Sequence, residues 1–124
     1  MEIILIGLSH KTAPVEIREK FCLTKDGVVD SLDRLRDISG IREGVVLSTC
    51  NRLEILAVAE GTVSGETDLR ALMAEMGQMR AEELAPYLYA HKGEGAITHL
   101  FRVASSLDSM VLGEPQILGQ LKEA

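Results

Sequence analysis

Two apolar stretches, Val45–Ser48 and Arg52–Ala59, are separated by only three residues, Thr49-Cys50-Asn51. A link that short cannot carry a crossover, so strands joined by it pair antiparallel as a hairpin. Upstream, Glu2 to Leu8 is rich in apolar β-branched residues and reads as a buried first strand. Ser9 to Pro14 is then a polar loop, with Pro14 placed to open a short helix through Lys20. Thr24 is an N-cap candidate, and Val28, Val29, Leu32, Leu35 and Ile38 recur at helical spacing until Gly40. After the hairpin, Gly61 to Thr67 reads as a small polar loop. Leu69, Leu72, Met73 and Met76 mark a second amphipathic helix that ends at Gly77. A helical turn near Ala81–Leu84 leads past Pro86 into a last strand, Tyr87–His91.

The order strand, helix, two strands, helix, strand predicts an α+β fold of the ferredoxin-like (βαββαβ) kind, an antiparallel sheet with helices on one face. C-terminal helices are expected to follow. Gly95 to about Ser109 is helical in pattern, with Ile97, Leu100, Phe101, Ala104 and Leu107 as its core face. His99, Arg102, Ser106 and Ser109 share a different stripe of that helix. Gly113 terminates it, and Pro115 is expected to open another helix carrying Gln116 and Gln120 one turn apart. The sequence stops at Lys122-Glu123-Ala124 without a C-cap glycine or following proline, and the expectation is that the native protein continues.

A chain of 124 residues with 46% hydrophobic content fits one packed domain. No apolar run reaches membrane-spanning length, and Met1-Glu2-Ile3 lacks the basic region of a secretory signal. Cys22 and Cys50 match no zinc or redox spacing, so reduced thiols in a cytoplasmic protein are expected. A Cys22–Cys50 disulfide stays open, since sequence does not establish proximity. The net charge of −6 argues against broad binding to phosphates, and 3% aromatic content leaves few platforms for stacking bases. Any RNA contact has to be local, or made by another part of the protein.

The hairpin turn carries the chemistry of interest. A thiolate is the reactive form of cysteine and a nearby cation favours it, so Cys50 two residues before Arg52 reads as a nucleophile beside an anion-binding group. The bland alternative is a small, inert cysteine at a strand end. Arg52 is either a hairpin charge paired with Glu54 or Glu43, or a bidentate clamp for a substrate carboxylate. His99 is either hydrogen-bonded to backbone or placed for proton transfer. His10, His91 and His99 form no compact ligand pattern, so no metal is expected. Gly93-Glu94-Gly95 lacks the third glycine of a dinucleotide fingerprint, with Thr98 in its place, and reads as a helix-start loop. Glu114-Pro115-Gln116 reads as a helix opening, and Cys22, between Phe21 and Leu23, as core packing.

Three stretches taken together resemble a known family. They are Gly7-Leu8-Ser9-His10-Lys11-Thr12-Ala13-Pro14 with Arg18-Glu19, then Leu47-Ser48-Thr49-Cys50-Asn51-Arg52-Leu53-Glu54, and a third running from His99 to Gln120 that contains Ser105-Ser106-Leu107-Asp108-Ser109-Met110-Val111-Leu112-Gly113-Glu114-Pro115-Gln116. The chain resembles the N-terminal catalytic domain of glutamyl-tRNA reductases, which begin the C5 route to tetrapyrroles. The resemblance implies residues 1–112 as the catalytic domain and 113–124 as the start of a linker helix to a missing NADPH-binding domain. It implies Cys50 as the nucleophile that attacks the aminoacyl ester of glutamyl-tRNA, giving a thioester that NADPH reduces to glutamate-1-semialdehyde. His99 would assist proton movement or position the ester. Thr49, Asn51 and Arg52 would hold the glutamyl group, and Ser109, Glu114, Pro115, Gln116 and Gln120 would line the remaining pocket. The implied partners are the acceptor end of glutamyl-tRNA, glutamate-1-semialdehyde aminomutase and a second copy in a homodimer, with no membrane.

Two other readings stay beside this one. A ferredoxin-like module can bind small molecules or RNA without catalysis. An RNA-reading sheet would display aromatics on central strands, whereas of Phe21, Tyr87, Tyr89 and Phe101 only the tyrosines fall on a predicted strand. The third reading is a thiol redox sensor using Cys22 and Cys50.

Overall fold

The computed structural model describes residues 1–21, 23–49, 51–109 and 116–122. Strand β1 spans Glu2–Ser9, followed by a single helical turn α1 (Val15–Arg18), a 3-10 turn (Glu19–Phe21) and helix α2 (Lys25–Arg36). The hairpin strands are β2 (Ile41–Thr49) and β3 (Arg52–Ala59). Then come α3 (Thr62–Met76), the short α4 (Ala81–Leu84), a 3-10 turn (Ala85–Tyr87), β4 (Tyr89–Lys92), α5 (Glu94–Ser109) and β5 (Gln116–Lys122). All strand pairings are antiparallel, in the order β4-β1-β3-β2-β5. The result is an α+β fold.

The local signals explain most element starts and stops. Thr24 caps α2, its Oγ1 accepting from the Gly27 backbone N–H at 3.1 Å. β2 begins four residues before the expected Val45, because pairing with β3 carries the polar run Arg42-Glu43-Gly44 through a bulge between Ile41 and Glu43. The expected loop over Gly61–Thr67 is instead helical from Thr62 onward, as the start of α3. Gly65 lets that helix lie against the sheet: a Cβ there would sit 2.7 Å from the Ala59 Cβ and 2.8 Å from the Ile4 Cδ1. The last strand also shifts, since Tyr87 belongs to the 3-10 turn and β4 begins at Tyr89.

Strand alternation divides the sheet into two faces. Ile4, Ile6 and Leu8 of β1 and Leu53, Ile55, Ala57 and Ala59 of β3 join Val28 and Leu35 of α2 and Leu69, Leu72 and Met73 of α3 in one buried core. Burying each of the larger side chains contributes roughly 1.5–3 kcal/mol. The other face carries Leu5, Gly7, Glu54 and Tyr89, and α5 crosses it, with Ala96 and Val103 buried. The two helices between the strands, α2 and α3, thus lie on one face as expected, and the C-terminal helix α5 covers the other. The stripe of α5 carrying His99 needed a second surface, because α2 and α3 already fill the first.

The helix expected after Pro115 is also corrected. Gln116–Lys122 forms β5, in register with β2 from Thr49↔Gln116 to Glu43↔Lys122. Without it β2 would be an open edge with unpaired backbone groups, and a tertiary partner of that kind overrides a weak helical spacing.

Candidate active site

Among the described residues, side-chain and backbone hydrogen bonds hold the hairpin corner. Thr49 is buried at the end of β2, and its Oγ1 accepts from the backbone N–H groups of Asn51 (3.1 Å) and Arg52 (3.2 Å). This side-chain turn fixes the chain on both sides of Cys50, which itself lies outside the described residues. The Asn51 carbonyl accepts from the His10 backbone N–H at 2.8 Å, tying the corner to the loop after β1. That loop is braced in turn: Thr12 Oγ1 accepts from the Ser9 N–H, and Ser9 Oγ from the Lys11 N–H.

Beneath the corner sits Glu54, 2% exposed on the α5 face of β3. Three groups converge on its Oε1. Arg52 Nη1 donates at 3.1 Å, His99 Nε2 lies 2.7 Å away, and the Tyr89 hydroxyl donates from β4. Tyr89 reaches Glu54 across the whole width of β1, and register shows how. Gly7 pairs with Glu54 on one side and Tyr89 on the other. A Cβ at Gly7 would lie 2.8 Å from Glu54 Cγ and 3.1 Å from Tyr89 Cζ, so the missing side chain is the passage. With Nε2 engaged by a carboxylate, the His99 ring is oriented and Nδ1 stands outside that bond. Glu54 Oε2 is buried and has no hydrogen-bond partner among the described residues.

His99 also stacks on His91, with ring centroids 4.4 Å apart and planes 22° from parallel, and Tyr89 packs at a tilt on both. Burial, and then the neighbouring His99, push His91 below the usual histidine range. Burial, and then the Glu54 charge, push the Tyr89 phenol far above its usual value. His91 is held neutral and Tyr89 protonated, which suits them to orient rather than to transfer protons.

These groups border a cavity of about 320 Å³ lined by Ser9, Lys11, Thr12, Arg52, Tyr89, His91, His99, Arg102 and Val103. Among the described residues, three cationic side chains and two histidines line it and no carboxylate does. In a chain with 19 acidic and 13 basic residues, that is a local reversal of sign.

Of the residues expected at the site, the structure brings Arg52 and His99 to one wall and Thr49 and Asn51 to the adjoining corner. Gln116 pairs with Thr49 at the same end of the sheet, whereas Gln120 pairs with Val45, about 13 Å further along. Ser109 is the last residue of α5, while Glu114 and Pro115, like Cys50 and Cys22, lie outside the described residues. Sequence reasoning missed Tyr89, His91 and Lys11, and offered Glu54 only as one of two hairpin partners for Arg52, the one the structure shows. The signal for Glu54 was present: it is a charge inside the apolar run Leu53-Glu54-Ile55-Leu56.

Fold and site together define an α+β domain with a cationic cavity built over one buried carboxylate. The family model for the glutamyl-tRNAGlu reductase N-terminal domain matches residues 6–124. Glutamyl-tRNA reductases of Syntrophotalea carbinolica and Syntrophus aciditrophicus are each 53% identical over the whole of this chain, and the one from Nitratidesulfovibrio vulgaris Hildenborough is 56% identical over 99% of it. Among solved structures, glutamyl-tRNA reductase from Methanopyrus kandleri aligns over 87% of the chain and 23% of its own, with a TM-score of 0.55 and 30% identity. The chain belongs to the glutamyl-tRNA reductase N-terminal domain family, and it spans 28–30% of the length of these three relatives.

Proposed function

We propose that this domain is the acyl-capturing part of an NADPH-dependent glutamyl-tRNA reductase acting in the cytoplasm on the C5 route to tetrapyrroles. The carrying observation is the joint held by Glu54, which binds Arg52 and His99 through one oxygen at the wall beside the Cys50 corner. Cys50 thiolate attacks the ester carbonyl that joins glutamate to the tRNA 3′-terminal ribose. A C–S bond forms, the C–O bond breaks, and the ribose oxygen leaves with a proton. Arg52, held in place by Glu54, keeps guanidinium N–H groups to pair with the glutamyl carboxylate. His99, its Nε2–H held by Glu54, offers Nδ1 to take the Cys50 thiol proton as the thiolate forms and to pass it to the leaving ribose oxygen.

NADPH, when bound, would supply the hydride for reduction to glutamate-1-semialdehyde. The turn Gly93-Glu94-Gly95 does not fit it, because the third glycine is missing and a carboxylate stands at the start of α5, where a pyrophosphate would lie. Its site belongs to a part of the protein outside this chain. In this reading residues 1–112 are the catalytic unit, and 113–124 lead from it toward the nucleotide-binding part. Ser109, Glu114, Pro115, Gln116 and Gln120 complete the glutamyl pocket. A homodimer and hand-over to glutamate-1-semialdehyde aminomutase complete the proposal. The strand order β4-β1-β3-β2 supports a ferredoxin-like framework, with β5 added at its edge.

Mass spectrometry of the protein mixed with glutamyl-tRNA tests this: a glutamyl adduct is expected, absent in Cys50→Ser. No adduct near neutral pH refutes acyl capture. A pure RNA-stacking module is disfavoured by central strands β1 and β3, which carry no aromatic residue. The redox-pair reading gains one observation. The Leu23 N–H donates to Ser48 Oγ at 3.4 Å, so the residue after Cys22 meets the residue two before Cys50. Non-reducing mass analysis after mild oxidation decides whether Cys22 and Cys50 pair.

A further inference from the structure

We infer that Lys11 and Arg102 form a phosphate site on the cavity, separate from the carboxylate-binding Arg52, which takes a backbone phosphodiester of the substrate RNA next to its esterified end. The inference deepens the proposed function and rests on it for the identity of the RNA. Three observations carry it. First, the described residues lining the cavity include Lys11, Arg52 and Arg102 and no acidic side chain, although acidic residues outnumber basic ones in the chain. A cavity walled by one sign of charge concentrates ligands of the other sign.

Second, the three cations are not equivalent. Arg52 is nearly buried and anchored on Glu54, whereas Lys11 and Arg102 are exposed, and neither has an ion pair among the described residues. Most arginines of this protein are neutralised: Arg34, Arg36, Arg42, Arg70 and Arg80 each lie within 4.0 Å of a carboxylate. Lys20 and Lys25 also lack an ion pair among the described residues, but Lys11 and Arg102 are the two such cations that line this cavity.

Third, both are placed by structure rather than by loose tails. Lys11 sits in the loop locked by Ser9 and Thr12, and Arg102 lies three residues after His99 on α5, on the same helix face. Burial and His99 lower His91 most, and the nearby Arg102 charge adds to that lowering. Ser9 and Thr12 line the same space, their hydroxyls engaged in bracing the loop that carries Lys11. Phosphate oxygens take charge-assisted bonds from lysine and arginine, and a phosphodiester brings the negative charge that balances them. The overall charge of −6 then excludes a broad RNA surface but not this local grip.

Affinity is measured on the full-length protein carrying Cys50→Ser, which prevents turnover, by titrating glutamyl-tRNA at several salt concentrations. Adding Lys11→Ala or Arg102→Ala is expected to weaken binding roughly three- to tenfold and to flatten the log–log salt slope by about 0.7 for each phosphate no longer neutralised. The same substitutions should be silent toward glutamyl-adenosine, which has the ester but no phosphate, and should leave the KM for NADPH unchanged with Cys50 restored. Arg36→Ala, on α2 away from the cavity, is the control for a general field effect. Unchanged tRNA affinity and salt slope overturn the inference. So does an equal loss toward glutamyl-adenosine, a loss confined to NADPH, or an equal loss in Arg36→Ala. Failure of acyl capture by the wild-type protein would refute the role proposed for Cys50, while the phosphate site is decided separately by the binding data.

Discussion

Glu54→Gln asks whether the site is built around a charge or only around a shape. The substitution keeps the side-chain volume and one carbonyl oxygen, and removes the negative charge on which Arg52, His99 and Tyr89 converge. The Glu54 and Arg52 side chains are 2% and 15% exposed, so solvent screens their pairing little. Charge-assisted hydrogen bonds contribute roughly 1.5–3 kcal/mol and neutral ones about 0.5–1.5 kcal/mol. Neutralising the shared acceptor therefore costs about 1 kcal/mol per bond. Relief of carboxylate desolvation offsets part of this. An amide nitrogen replacing Oε2, however, is buried with no acceptor among the described residues. The net expectation is a loss of about 2–3 kcal/mol. With a urea slope of about 1–3 kcal/mol per M, the unfolding midpoint falls by roughly 0.7–3 M. The difference from wild type should persist at high salt, because the pair is buried. The surface pair Arg34–Glu75, 39% and 65% exposed, should contribute under about 1 kcal/mol and fade with salt. A Glu54→Gln midpoint equal to or above that of wild type would refute the dependence of these three donors on the charge.

Gly7→Ala drives a Cβ to 2.9 Å from the Leu53 carbonyl oxygen as well as into Glu54 and Tyr89, and backbone cannot step aside. It should cost about 1–3 kcal/mol, read as a lower thermal midpoint, and should lower activity by displacing Tyr89. His91 is held below its unfolded value, so the unfolded chain binds more protons and stability falls as pH drops through about 6.5. Urea midpoints at pH 7.5 and 5.5 should show this loss, and it should shrink in His91→Gln. Tyr89 is shifted the other way: its stabilisation is present below about pH 10 and lost as pH rises further. Tyr89→Phe should therefore blunt alkaline unfolding followed by circular dichroism, and an unchanged alkaline limb would count against its link to Glu54.

The hairpin around Cys50, the Thr24 cap and the apolar spacing of α2 are legible in the sequence because each depends on residues a few positions apart. Helix and strand periods are local properties of the backbone, and a cap needs only the next turn. Three motifs in order are also enough to mark the family. Legibility ends where a partner distant in sequence decides the outcome. Gly61–Thr67 reads as a loop because its glycines are poor helix formers, yet Gly65 is what allows α3 to touch β1 and β3. Gln116–Lys122 carries a weak helical pattern, and an open sheet edge draws it into a strand.

The sequence by itself determined an α+β domain with a thiol and a guanidinium at a tight corner. Tertiary structure alone decided what that corner stands on. Glu54 meets Tyr89 from 35 residues away and His99 from 45, through a gap left by a glycine on a third strand. No local pattern encodes such a meeting, because it arises only when antiparallel register and the docking of α5 bring the side chains to one face. Tertiary structure likewise gathered Lys11, Arg52 and Arg102 on one cavity, giving an acidic chain a cationic mouth. Net charge is a sum over residues, whereas recognition depends on where the fold places them.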